Sequence, residues 1–329
     1  MDAKTGSSSD QPKEKPTRWL KMFRWSVAFA VAIALLVTIQ NAAEQLQEHQ
    51  FDFHSVRWIR IFFAVEAYSM AMLLSCIFWR SVLVALGGLP TWGNSIRAFF
   101  FSQLGKYVPG KAMVVVIRTD LIRDENTGTV AAAASVFAET LTWIFVGSVI
   151  ACVLMFSEFQ EHTRLKWIAG SFALIAGVVT FPPIFRFLAG KFGKRDLGKF
   201  AGLGMSTMAF GWLILTIGWC LNGLSLWLVL GSFPGIDLNF ADYRLALACV
   251  SLGTVAGFAS LLPGGLGVRE LVMIPLLGPR FGPAIAIIAA ILIRLVWLFS
   301  ELICGGIIYL SMNDRRNNET TNSKSQPNA

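Results

Sequence analysis

The chain has 329 residues, 55% of them apolar and only 15% charged, with a mean hydropathy of +0.59 and a formal net charge of +8. A soluble domain carries about 25% charged residues, so this balance excludes an ordinary water-soluble enzyme and points to lipid. Nor does the basic excess indicate nucleic acid, because Lys and Arg gather in alternate loops between apolar runs, as membrane topology requires.

Residues 1–17 and 313–329 are rich in Lys, Ser, Asn, Gln and Pro and read as disordered tails around one membrane domain, 18–312. The first apolar run, Trp25–Ile39, follows Lys4, Lys13, Lys15, Arg18, Lys21 and Arg24, which places the N-terminus in the cytoplasm. It has the outline of a signal peptide, but its basic region is long and the run nearly spans, so a retained helix is expected. The next loop, 41–57, holds Glu44, Glu48 and Asp52 and fits the outside. Trp58–Trp79 returns to a basic stretch, 80–129, and Val130–Phe156 crosses outward again. Trp167–Leu188 comes back to Arg186, Lys191, Lys194, Arg195 and Lys199, and Met208–Leu230 leads out to Asp237 and Asp242. The expectation is an all-α, polytopic helix bundle of about 6–8 membrane segments.

Two stretches break the pattern. Ala98–Gly105 and Ala112–Ile117 are apolar pieces of about half-membrane length, joined by Lys106-Tyr107-Val108-Pro109-Gly110-Lys111. They read either as a re-entrant hairpin or as an amphipathic pair on the surface. Later, Leu245–Leu262 is broken by Pro263-Gly264-Gly265, and Leu271–Gly278 is too short to span. Either 245–262 crosses and the short piece dips, or 245–278 is a second hairpin. The second option puts Arg315 and Arg316 inside and satisfies the charge rule.

Broken helices expose backbone N–H groups at their positive ends. Lys106 and Lys111 add charge at one tip, with Arg118 nearby. Gly264, Gly265 and Gly267 allow close backbone approach at the other, beside Arg269 and Glu270. Such tips suit a phosphate. Within the spans, Glu66, Glu139, Arg294 and Glu301 are costly at bilayer depth and should face protein or water, as a headgroup path, a proton relay or structural ion pairs. Arg294 and Glu301, seven residues apart, share a helix face. Gly253 and Gly257 fit close helix packing. Five cysteines without CxxC spacing and three loop histidines imply neither a disulfide framework nor a metal site, and no cofactor or soluble catalytic motif is evident.

Gly105-Lys106-Tyr107-Val108-Pro109-Gly110-Lys111 followed by Arg118, and Leu262-Pro263-Gly264-Gly265-Leu266-Gly267-Val268-Arg269-Glu270, resemble the two signatures of the lysylphosphatidylglycerol synthase transmembrane region, a flippase-like domain. The resemblance covers about 20–310. It implies a bundle with re-entrant segments around a cavity for anionic or modified phospholipids, in a bacterial cytoplasmic (inner) membrane. In the family's bifunctional synthases a separate soluble domain makes the aminoacyl lipid, and this sequence shows none, so no synthase activity is expected. Other relatives accompany glycosyltransferases, so a separate synthase or glycosyltransferase is a conceivable partner and a lipid-linked precursor a conceivable substrate. On this reading Lys106, Lys111, Arg118 and Arg269 engage a lipid phosphate, while Glu139 or Glu301 balances charge. Two alternatives stand beside it: a secondary transporter of a small anion driven through Glu66 or Glu139, and a membrane-embedded transferase acting on a lipid-linked substrate.

Overall fold

The computed structural model describes residues 53–107, 112–123, 127–158, 163–192, 202–260 and 267–325, with 262, 265 and seven positions between 33 and 48. Most of the expected first span, Trp25–Ile39, and the tail 1–17 lie outside the described residues. The described helices are α1 (Trp58–Ala85), α2 (Trp92–Gln103), α3 (Ala112–Ile122), α4 (Thr129–Glu158), α5 (Thr163–Thr180), α6 (Pro182–Phe192), α7 (Met205–Leu230), α8 (Phe240–Ala259), α9 (Val268–Phe281) and α10 (Pro283–Ser325). A 3-10 turn, Leu104–Tyr107, continues α2. The chain is therefore an all-α, polytopic membrane bundle.

Among the described residues four helices are long and apolar enough to cross a bilayer: α1, α4 over Thr129–Phe156, α7, and α10 over Pro283–Ser311. The backbone of α10 stays helical to Ser325, into the polar tail that composition sets apart. The expected crossing Trp167–Leu188 is not one straight helix. It bends by 71° between Thr180 and Pro182, so that a fifth crossing exists only if α5 and α6 together make one broken span. The cause is Pro182-Pro183: neither residue has an N–H to donate, and Pro182 disfavours helical backbone at Phe181 while suiting the first position of α6.

Lipid tails are as apolar as a leucine side chain, so helices associate in membranes by close fit and by hydrogen bonds rather than by escape from water. Both devices hold this bundle. A Cβ at Gly211 of α7 would collide with the Phe78 ring of α1, and one at Gly147 of α4 would collide with Trp219 of α7. Those two aromatic rings are fully buried. Trp79 Nε1 donates to Ser135 Oγ at 3.0 Å, tying α1 to α4. Ser225 Oγ donates to the Ala64 carbonyl at 2.8 Å, tying α7 to α1. The result is a frame of α1, α4, α7 and α10, with the shorter pairs α2–α3 and α8–α9 packed against it.

Local signals start the shorter helices. Thr91 caps α2 by accepting from the Asn94 N–H. Asn239 and Asp242 form a reciprocal capping box at the start of α8. Asp242 also takes Arg280 of α9, Nε to Oδ1, at 2.8 Å, which pins the far end of α9 beside the start of α8.

Candidate functional site

Residues flanking the two breaks, Lys106 on one side and Gly265 and Arg269 on the other, line one cavity of about 580 Å³. Its wall combines α1 (Tyr68, Met72), the end of α2 (Lys106), α3 (Val114, Arg118), α4 (Phe137, Glu139, Trp143), α7 (Asn222), α8 (Thr254, Phe258), α9 (Arg269) and α10 (Trp297). Apolar and aromatic side chains dominate, and the charges come from Lys106, Arg118, Glu139 and Arg269.

Lys106 sits in the 3-10 turn and forms an ion pair with Glu301 of α10. Tyr68 donates to the same carboxylate oxygen at 2.5 Å, and Lys106 Nζ lies 3.3 Å from the Tyr68 hydroxyl. Glu301 is buried, and its other oxygen has no partner among the described residues. Tyr107 is buried beside this group, its ring centroid 5.3 Å from Lys106 Nζ. Gly105 lets the turn abut α3, because a Cβ there would stand 2.9 Å from the Val114 nitrogen.

Arg118 is almost wholly enclosed. Its Nη1 donates to Glu139 Oε2 at 3.0 Å and its Nε to Ser102 Oγ at 2.8 Å, while the guanidinium lies 4.3 Å from the Phe99 ring centroid. This cation is neutralised, hydrogen-bonded and stacked, as a buried charge must be.

Arg269 differs. Among the described residues it makes no hydrogen bond or ion pair, and its buried Nε has no partner. Its guanidinium carbon stands 5.3 Å from the Trp297 ring centroid. Trp297 stacks at 5.0 Å on Tyr68, and its own buried Nε1 is also unpartnered. Neighbouring glycines make the seat for Arg269: a Cβ at Gly257 would fall 2.9 Å from Arg269 Cγ, and one at Gly265 would fall 3.0 Å from Nε. Gly265 also has φ +70°, a conformation side chains rarely tolerate. Close packing of α8 on α9 through Gly253 and Gly257 is thus also what gives the arginine its room.

Glu270 pairs with Arg294 of α10, beside the cavity rather than in its wall. Arg294 and Glu301 share a face of one helix, yet each looks to a partner on a different element. Glu66 is exposed on α1 and does not line the cavity. Gly267, at φ +78°, precedes α9. Pro109, Gly110, Lys111, Pro263 and Gly264 lie outside the described residues. No group of three or more His, Cys, Asp or Glu among the described residues has metal-binding geometry. Tyr68, Asn222, Thr254 and Trp297 belong to the wall but do not stand out in the sequence, since isolated polar or aromatic residues in apolar runs are common.

Comparisons with known proteins agree with a membrane-embedded chain. A family model described as the lysylphosphatidylglycerol synthase TM region matches residues 21–305. Over 104 residues the chain is 31% identical to the inner membrane protein YbhN of Escherichia coli (strain K12), a stretch that is 31% of this chain and 30% of that protein. No solved structure matches.

Proposed function

We propose, from the premise that the chain belongs to the lysylphosphatidylglycerol synthase TM-region family, that it binds and translocates an anionic or headgroup-modified phospholipid. The observation that carries this reading is Arg269. A cation with no ion-pair partner among the described residues, set in a largely apolar wall, carries a desolvation cost that an anionic ligand would offset. The surrounding Val, Phe, Trp and Met side chains suit acyl chains, which favours a lipid over a small soluble anion. The inner-membrane name of the E. coli relative supports a bacterial inner membrane as the location. On this reading α2–α3 and α8–α9 are re-entrant hairpins, and Lys106 and Arg269 bring one cation from each to the headgroup. Irregular backbone at that depth is tolerated where it lines such a cavity. The residues act by binding and positioning; no bond is made or broken.

The test is exchange of fluorescent phosphatidylglycerol between leaflets of liposomes holding the purified protein. Wild type should accelerate exchange, and Arg269→Ala should abolish it while the protein remains folded. Exchange at the wild-type rate in Arg269→Ala would remove the site assignment. No acceleration by folded wild type would remove the lipid reading.

A further inference from the structure

The balance of charge around the cavity says more about the ligand, and this step rests on the lipid reading above. Among the described residues the wall holds three cations, Lys106, Arg118 and Arg269. Glu301 answers Lys106 and Glu139 answers Arg118, each through a direct ion pair. Beside them Glu270 and Arg294 neutralise each other. Among the described residues one positive charge is left over, on Arg269.

The unsatisfied donors lie at the same place. Arg269 Nε and Trp297 Nε1 are both buried without a partner, and Trp297 is only 5% exposed. The Arg269 guanidinium, without a hydrogen bond among the described residues, and the Trp297 indole N–H together offer donors and one positive charge to the free oxygens and single charge of a phosphodiester. A diphosphate brings at least one further negative charge. Freeing Lys106 to meet it would strand Glu301, and freeing Arg118 would strand Glu139, so rearrangement leaves the net deficit unchanged. In a wall this apolar an uncompensated charge is strongly penalised.

We infer that the cavity accepts a lipid whose head carries one negative charge, a phosphodiester, and discriminates against diphosphate-linked lipids. The polyisoprenyl diphosphate type of carrier is then not the cargo. Glu139 and Glu301 act as the specificity-determining residues, because they cancel the two cations that would otherwise welcome the extra charge.

Binding of short-chain amphiphiles to the detergent-purified full chain, read by quenching of tryptophan fluorescence, tests this. The probes are dioctanoyl phosphatidylglycerol, farnesyl diphosphate and inorganic phosphate. Wild type should bind the phosphodiester about tenfold or more tighter than the diphosphate, with no response to inorganic phosphate. Glu301→Gln raises the net charge of the wall by one and should bring the two affinities together. Glu139→Gln makes the same change at the other pair and serves if the first variant fails to fold. Equal or tighter binding of the diphosphate by wild type, or a selectivity unmoved in the folded Gln variants, would overturn the inference while leaving lipid binding intact. Binding of neither amphiphile, or competition by inorganic phosphate, would overturn the lipid reading and this inference together.

Discussion

Arg118 and Arg269 line the same cavity, but their surroundings differ. Arg118 has a carboxylate at 3.0 Å, a hydroxyl at 2.8 Å and an aromatic face at 4.3 Å. Arg269 has an aromatic neighbour at 5.3 Å and, among the described residues, no ion pair or hydrogen bond. The fully satisfied arginine behaves as part of the frame, linking α3 to α2 and α4. The unsatisfied one is held by glycines and an aromatic ring, in a seat that leaves its hydrogen-bonding capacity unused. A buried charge that the protein neutralises serves the fold; one left open is available to a ligand.

Removing Arg118 should have the largest effect. Arg118→Leu leaves Glu139 buried without a counter-charge, and stability should fall by about 3–5 kcal/mol. Thermal unfolding in detergent reads this loss, and adding Glu139→Leu should recover part of it. Arg269→Ala should do the reverse, leaving the melting temperature near wild type while lipid exchange disappears. If both variants melted like wild type, the distinction between frame and site would collapse.

A subtler variant sharpens the role of the seat. Gly257→Ala puts a methyl group 2.9 Å from Arg269 Cγ, so the arginine or α9 must shift. Overpacking of this kind costs about 1–3 kcal/mol, and exchange should drop severalfold though no charge has changed. Unaltered exchange would mean that Arg269 tolerates displacement.

The smallest effect is expected at Asp242, at the loop end of α8 and outside the candidate spans. Burial alone would raise its carboxyl, but hydrogen bonds from Arg280 and the Asn239 backbone, with the Arg280 charge, outweigh burial and hold it below the usual range. Its stabilisation is therefore complete above the unfolded carboxyl value of about 3.9 and fades as the pH falls through the lower folded value. Asp242→Asn should melt slightly below wild type at neutral pH, with the gap closing only under strongly acidic conditions. A gap that narrowed between pH 7 and about 5 would contradict the depressed carboxyl.

Much of the frame is legible in the residues themselves. Val130–Phe156 anticipates Thr129–Glu158, and Met208–Leu230 anticipates Met205–Leu230, because an apolar run of spanning length leaves few alternatives. The bend at Phe181 was also written in Pro182-Pro183, but an apolar count reads through a break that backbone hydrogen bonding does not. The site is legible only in part. Unusual tips point to Lys106 and Arg269, and intramembrane charge points to Glu139 and Glu301. Which acid meets which base depends on helices separated by 195 residues for Lys106 and Glu301, and by 24 for Glu270 and Arg294. No local pattern encodes that choice. Asn222 and Trp297 escape notice for the same reason: their importance comes from the cavity they face, not from their neighbours in sequence.

The most direct test of the account is an experimental structure of the protein bound to dioctanoyl phosphatidylglycerol. Phosphate density should lie within hydrogen-bonding reach of Arg269 and Trp297 Nε1, with acyl chains along the apolar wall and the Lys106–Glu301 and Arg118–Glu139 pairs intact. A phosphate bound at Arg118 after displacement of Glu139, or outside the cavity altogether, would contradict it.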